Sequence, residues 1–118
     1  MKQNITRGDI FRTDLGETIG SEQSGVRPSL IVQNDVGNRC SPTTQIVPLT
    51  TRRKSAILPT HVHISSACGL GVTSIALVEQ LRTVDKSRLG ICIGRINALE
   101  QTAINEALAI SVGLGVAA

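Results

Sequence analysis

Apolar positions along the first 96 residues come in short runs with strand-like alternation, not in helical stripes. In DIFRTDL (9–15), Ile10 and Arg12 share one face, and Phe11 and Thr13 share the other. SLIVQN (29–34) is a short apolar run of the kind a buried strand carries. TTQIVPLT (43–50) reads as a strand that Pro48 pushes toward an edge or a bulge. THVHI (60–64) alternates, SIALVEQLRTV (74–84) is the longest strand candidate, and GICIGRI (90–96) is one more. Between them, 16–26 and 34–42 carry the Gly, Asn, Asp and Pro of loops. The pattern changes at Asn97, an N-cap with Glu100 in the first turn behind it. Ile104, Ala107, Leu108 and Ser111 then recur at helical spacing, and Gly113 is a stop signal. These elements predict a mainly β domain over 1–118, a small β-barrel with one C-terminal helix against it.

Composition narrows what such a domain does. At 118 residues the chain buries roughly two thirds of its unfolded surface and needs no metal or disulfide to hold a core. The net charge of +3 mildly favours an anionic partner. Phe11 is the only aromatic residue among Phe, Tyr and Trp, so a nucleic-acid site here has no aromatic stacking platform. Cys40, Cys68 and Cys92 are odd in number and form no CxxC, as in a reducing compartment. No apolar run reaches the roughly 20 residues of a membrane helix, and MKQNITRGDIF is not a signal peptide. The expected setting is the cytoplasm.

Three groups of residues carry candidate chemistry. His61 and His63 fall on one face of a strand, the arrangement of an acid–base couple for cutting RNA. With Cys68 they also suggest a metal, but no fourth ligand or zinc spacing completes the set, so no metal or other cofactor is expected. A solvated strand face is the commoner use of such a pair. Arg27 is sharper. Ser24 and Gly25 before it adapt easily, while Pro28 after it biases its backbone toward the extended state. An arginine fork there is able to hold two phosphate oxygens, the competing use being an ion pair with Glu22 or Asp35. Thr50 and Thr51 precede Arg52, Arg53 and Lys54, a basic loop after two hydroxyls that suits phosphate contact or plain solvation. In EQLRT (79–83), Gln80 and Arg82 share one strand face and suggest a lined groove or an interface.

Taken in order, RGDIF, TDL, GSEQSGVRPSLIVQNDVGN, SPTTQIVPLT, LPTHVHI and LVEQLRTVDKSRL closely resemble the MazF/PemK family of toxin endoribonucleases, and NEALAISVGL resembles its helical tail. The resemblance covers roughly residues 6 to 114. It implies an SH3-like β-barrel of the plasmid-toxin type, a homodimer, and metal-independent cleavage of single-stranded RNA to 2′,3′-cyclic phosphate and 5′-hydroxyl ends. It also implies a cognate antitoxin whose acidic, disordered tail occupies the RNA groove. The family's catalytic positions fall on Arg27 in GVRP and Thr50 in VPLT. RNA contacts are then expected from Ser21, Glu22 and Gln23 on a flap formed by 16–26, from Thr51 and Arg52, and from Gln80 and Arg82. One stretch departs: SSACGLGVTS (65–74) is small and uncharged where the family often carries a longer charged segment. An RNA-binding regulator that leaves RNA intact, and a gyrase poison on the same fold, are the alternative functions; GVRP and EQLRT argue against the second.

Overall fold

The computed structural model describes residues 4–52 and 58–114. Its elements run β1 (Asp9–Asp14), β2 (Val26–Ile31), α1 (Asp35–Cys40), β3 (Thr43–Thr50), β4 (His61–Ile64), β5 (Ser74–Leu77), β6 (Arg82–Asp85), β7 (Leu89–Arg95) and α2 (Ala98–Ser111). All the strand pairs are antiparallel, in the order β4-β5-β3-β2-β1-β7, with β6 also on β3. The mainly β class with a C-terminal helix is as expected, but the strand path stays open between β4 and β7.

The shared strand is β3. Its first half, Thr43 to Ile46, pairs with β6, while Leu49 and Thr50 pair with β5. Pro48 falls in the gap between those two partners, on a strand that is central and buried, not on an edge. A residue with no N–H to donate is accommodated at such an interruption.

Alternation along β1, β2 and β3 sends side chains to two cores. Ile10, Leu30, Val47 and Leu49 join Val62, Ile64, Ala76 and Val78 under α2, which contributes Ile104 and Ala107. Phe11, Ile31 and Ile46 point the other way and pack with Leu15, Val84 and Leu89. Helix α2 begins as its sequence predicts. The Asn97 side chain accepts from the Glu100 N–H at 2.8 Å, and the Glu100 carboxylate accepts from the Asn97 N–H at 2.9 Å.

Two further expectations change. The segment 34–42 is not all loop: Asn34 caps the short helix α1 by accepting from the Gly37 N–H at 2.8 Å. The helix is fixed by the buried Asn38, whose side-chain oxygen receives hydrogen bonds from Thr44 and Gln33. The long strand read over 74–84 is broken by a 3₁₀ turn, Val78–Gln80, between β5 and β6. Burying Val78 fully while its N–H reaches the Thr60 carbonyl turns the chain out of the strand. Glu79 and Gln80 therefore leave the alternation and face different neighbours.

Candidate active site

β1 and β2 form a hairpin whose connecting loop spans 16–25. Backbone bonds close its base, from the Leu15 N–H to the Gly25 carbonyl at 2.8 Å and from the Gly25 N–H to the Gly16 carbonyl at 3.0 Å. Gly16 and Gly25 both have positive φ, +72° and +75°, where a side chain would be strained. Arg27 leaves this base on β2, opposite Thr13 of β1. On the other side, Ser29 pairs with Pro48 and Ile31 with Ile46. The β2–β3 pairing ends at Ser29 and Pro48; continued two residues further, the same register would bring Arg27 toward Thr50.

The two side chains are held differently. Arg27 is half-buried, and its Nε–H donates to the Ser24 carbonyl at 2.8 Å. Among the described residues it forms no ion pair; Glu22 instead folds back to accept from the Ile19 N–H, and Asp35 accepts from the Arg7 N–H. With Nε committed, the two terminal nitrogens are left to supply a fork of N–H donors. Thr50 is buried, and its Oγ1 accepts from the Arg52 N–H at 3.1 Å. A hydroxyl that accepts from the backbone keeps its own proton to donate. On β1 and β2, Thr13 and Ser29 are fully buried, and among the described residues the Ser29 Oγ has no hydrogen-bond partner.

The remaining candidates divide. Thr51 and Arg52 are exposed directly beyond Thr50. Arg53 and Lys54 lie outside the described residues. Ser21, Glu22 and Gln23 lie in the loop before Arg27, and among the described residues the buried Gln23 Oε1 has no hydrogen-bond partner. The Gln80 amide meets that loop with both ends: its Oε1 accepts from the Gln23 N–H at 2.8 Å and its Nε2 donates to the Ser21 carbonyl at 3.1 Å. Arg82 donates to the Leu15 carbonyl at the loop's base at 3.2 Å. Gln80 and Arg82 thus face the same loop, although the 3₁₀ turn has removed the strand alternation that grouped them.

The histidines belong elsewhere. His61 and His63 share a face of β4, as the alternation predicts, while Val62 and Ile64 point inward. His61 Nδ1 accepts from the Leu58 N–H at 3.2 Å, so the ring proton sits on Nε2, 3.0 Å from a Glu79 carboxylate oxygen. Glu79 also accepts from the Thr60 hydroxyl. Burial pushes the Glu79 carboxyl up, but hydrogen bonds from its backbone, His61 and Thr60 outweigh that and leave it below the ordinary value. This is a strut between β4 and the 3₁₀ turn. Cys68 is buried and donates to Glu100; burial and that carboxylate push the thiol up to about 11. Among the described residues, no group of three or more His, Cys, Asp or Glu side chains gathers as a metal site. Periodicity carried no signal for the Gln80 and Glu79 contacts, because both depend on a turn inside a stretch that reads as continuous strand.

The fold is that of the MazF toxins. MazF from Deinococcus radiodurans superimposes with a TM-score of 0.82 at 24% identity, covering 96% of this chain and all of that one. An endoribonuclease in complex with its cognate antitoxin, from a mycobacterial species, gives a TM-score of 0.81 at 31% identity over 96% of this chain and 99% of that one. Over its sequence the chain is 44% identical to endoribonuclease EndoA of Bacillus subtilis across 111 residues, 93% of this chain and 96% of EndoA. It is 43% identical to endoribonuclease MazF of Staphylococcus saprophyticus, across 93% of this chain and 92% of that protein. Residues 6–112 match the PemK-like, MazF-like toxins of type II toxin–antitoxin systems, and the chain belongs to that family.

Proposed function

We propose that the chain is the toxin of a type II toxin–antitoxin system and a metal-independent endoribonuclease acting on single-stranded RNA. The observation that supports the reading is that Arg27 and Thr50 lie on neighbouring hydrogen-bonded strands, β2 and β3, one offering a fork of N–H donors and the other a hydroxyl proton. RNA supplies its own nucleophile. The 2′-oxygen attacks phosphorus as its proton passes to water, the bond from phosphorus to the 5′-oxygen breaks, and that oxygen takes a proton from water. The products are a 2′,3′-cyclic phosphate and a 5′-hydroxyl. The protein's task is to align the groups and to stabilise the charge on the phosphorane. Arg27 clamps two non-bridging oxygens, and Thr50 donates to one of them. Arginine keeps its proton in proteins, so its contribution is charge and geometry.

Thr51 and Arg52, next along the chain, extend the phosphate track, and Ser21, Glu22 and Gln23 bring the loop to the bases. Cleavage of cellular RNA supports a cytoplasmic setting as the reading. Among the described residues no helix is long and apolar enough to cross a membrane. A homodimer fits the open sheet. Strand β7 ends the strand path with Ile91 65% exposed, and such an edge calls for cover. A cognate antitoxin with an acidic, disordered tail is the expected regulator, its carboxylates competing with phosphate for Arg27. Incubating the purified protein with a long RNA in EDTA and reading both fragment ends tests the activity. Cyclic-phosphate and 5′-hydroxyl ends are expected; intact RNA that remains bound would mean a non-cleaving regulator.

A further inference from the structure

The Gln80 amide is set between two backbone groups of the 16–25 loop, and its orientation is fixed by them. The Gln23 N–H needs an acceptor and the Ser21 carbonyl needs a donor, so Oε1 and Nε2 take one place each. The next residue after Gln23 is Ser24, whose carbonyl holds the Arg27 Nε at 2.8 Å. A continuous path therefore runs from Gln80 to the loop backbone and from the loop backbone to the guanidinium. The anchor is firm at its other end. Gln80 closes a 3₁₀ turn whose first residue, Val78, is fully buried and whose second, Glu79, is tied to Thr60 and His61. Arg82 adds a bond to the Leu15 carbonyl at the loop's base.

We infer that Gln80 is a positioning residue for RNA cleavage: its amide latches the 16–25 loop so that the Ser24 carbonyl aims the Arg27 fork at the scissile phosphate. The latch rests on the proposed role of Arg27. Its reach is geometric, since a misplacement of about 1 Å in a catalytic group costs on the order of a hundredfold in rate. Gln80→Ala removes both contacts. Gln80→Glu keeps an acceptor for the Gln23 N–H and sets a carboxylate oxygen against the Ser21 carbonyl, so it restores half of the latch.

The test combines kinetics with hydrogen exchange by NMR on the free protein. In Gln80→Ala, exchange of the Gln23 amide and of the Arg27 Nε–H is expected to quicken tenfold or more. The value of kcat is expected to fall between tenfold and a hundredfold, while KM for a short RNA changes less than about threefold. Gln80→Glu is expected to recover Gln23 protection and part of kcat. Unchanged exchange at Gln23 in Gln80→Ala would overturn the latch. Faster exchange at Gln23 with Arg27 Nε–H and kcat unchanged would overturn its link to Arg27. A rise in KM alone would make Gln80 an RNA contact instead and also overturn the proposal. If the wild-type protein leaves RNA intact, the functional reading fails on that result, and the exchange data on the free protein still decide the latch separately.

Discussion

Replacing Thr50 by Val separates what this residue does for stability from what it does for chemistry. The substitution keeps the shape of a buried, β-branched side chain and removes only the hydroxyl. One hydrogen bond is lost within the protein, that from the Arg52 N–H, and Arg52 is exposed, so water replaces the acceptor. The cost to folding should be at the low end for a hydrogen bond, about 0.5–1 kcal/mol. On the proposed role of Thr50, cleavage loses a donor to the developing charge, an effect expected to be on the order of 10²- to 10³-fold in kcat. Thr50→Ser keeps the hydroxyl and should stay within about tenfold of wild type. The assay is initial-rate cleavage of a fluorogenic RNA in EDTA. Urea denaturation followed by circular dichroism runs beside it, since the chain has no Trp or Tyr to report folding. A folded Thr50→Val protein that cleaves within threefold of wild type would refute the reasoning.

Changing both His61 and His63 to Gln should leave cleavage within about tenfold, because the His61 ring is committed to Leu58 and Glu79; a larger loss in a folded protein would restore the histidines as an acid–base couple. Stability in the same double variant should fall by about 1–2 kcal/mol as the strut loosens. Cys68 predicts an alkaline weakness. Its thiol is raised to about 11 in the folded chain, so the folded state holds the proton more tightly, and stability present below pH 9 is lost as pH rises toward 11. Denaturation curves at pH 8 and pH 11 should show a loss on the order of 2 kcal/mol in the wild type that Cys68→Ala lacks. Gly94→Ala should lower the melting temperature by about 10 °C or more, because a Cβ there would stand 1.8 Å from the Cys68 carbonyl oxygen; an unchanged melting temperature would mean the two backbones are not so close.

Much of this fold is legible because local signals agree with one another. Asn97 and Glu100 announce the start of α2, and the predicted capping box is present in both halves. Alternation in β4 correctly sorts inward from outward side chains, since that strand has one clearly apolar face. The sequence misleads where a tertiary contact decides. Pro48 looked like an edge signal, but β3 changes partners at that point and tolerates proline in its interior. The run 74–84 looked continuous, but Val78 gains full burial by turning the chain. The 34–42 segment looked like a loop because Asn and Gly are weak helix formers, and it is the buried Asn38 network that holds α1. At the site, Arg27 stood out through its rigid Pro28 and adaptable Ser24. That Arg27 and Thr50 lie on neighbouring strands needed the β2–β3 pairing, and the contacts of Gln80 needed the turn. Neither is a periodic feature.

The account stands on Arg27 as the clamp on the reacting phosphate, and the most direct measurement compares wild type, Arg27→Ala and Arg27→Lys on one RNA at saturating substrate in EDTA. Alanine should lower kcat a hundredfold or more, and lysine should recover little of it, because a single ammonium does not replace the fork. Wild-type cleavage by a folded Arg27→Ala protein, yielding the same fragment ends, would contradict the central claim.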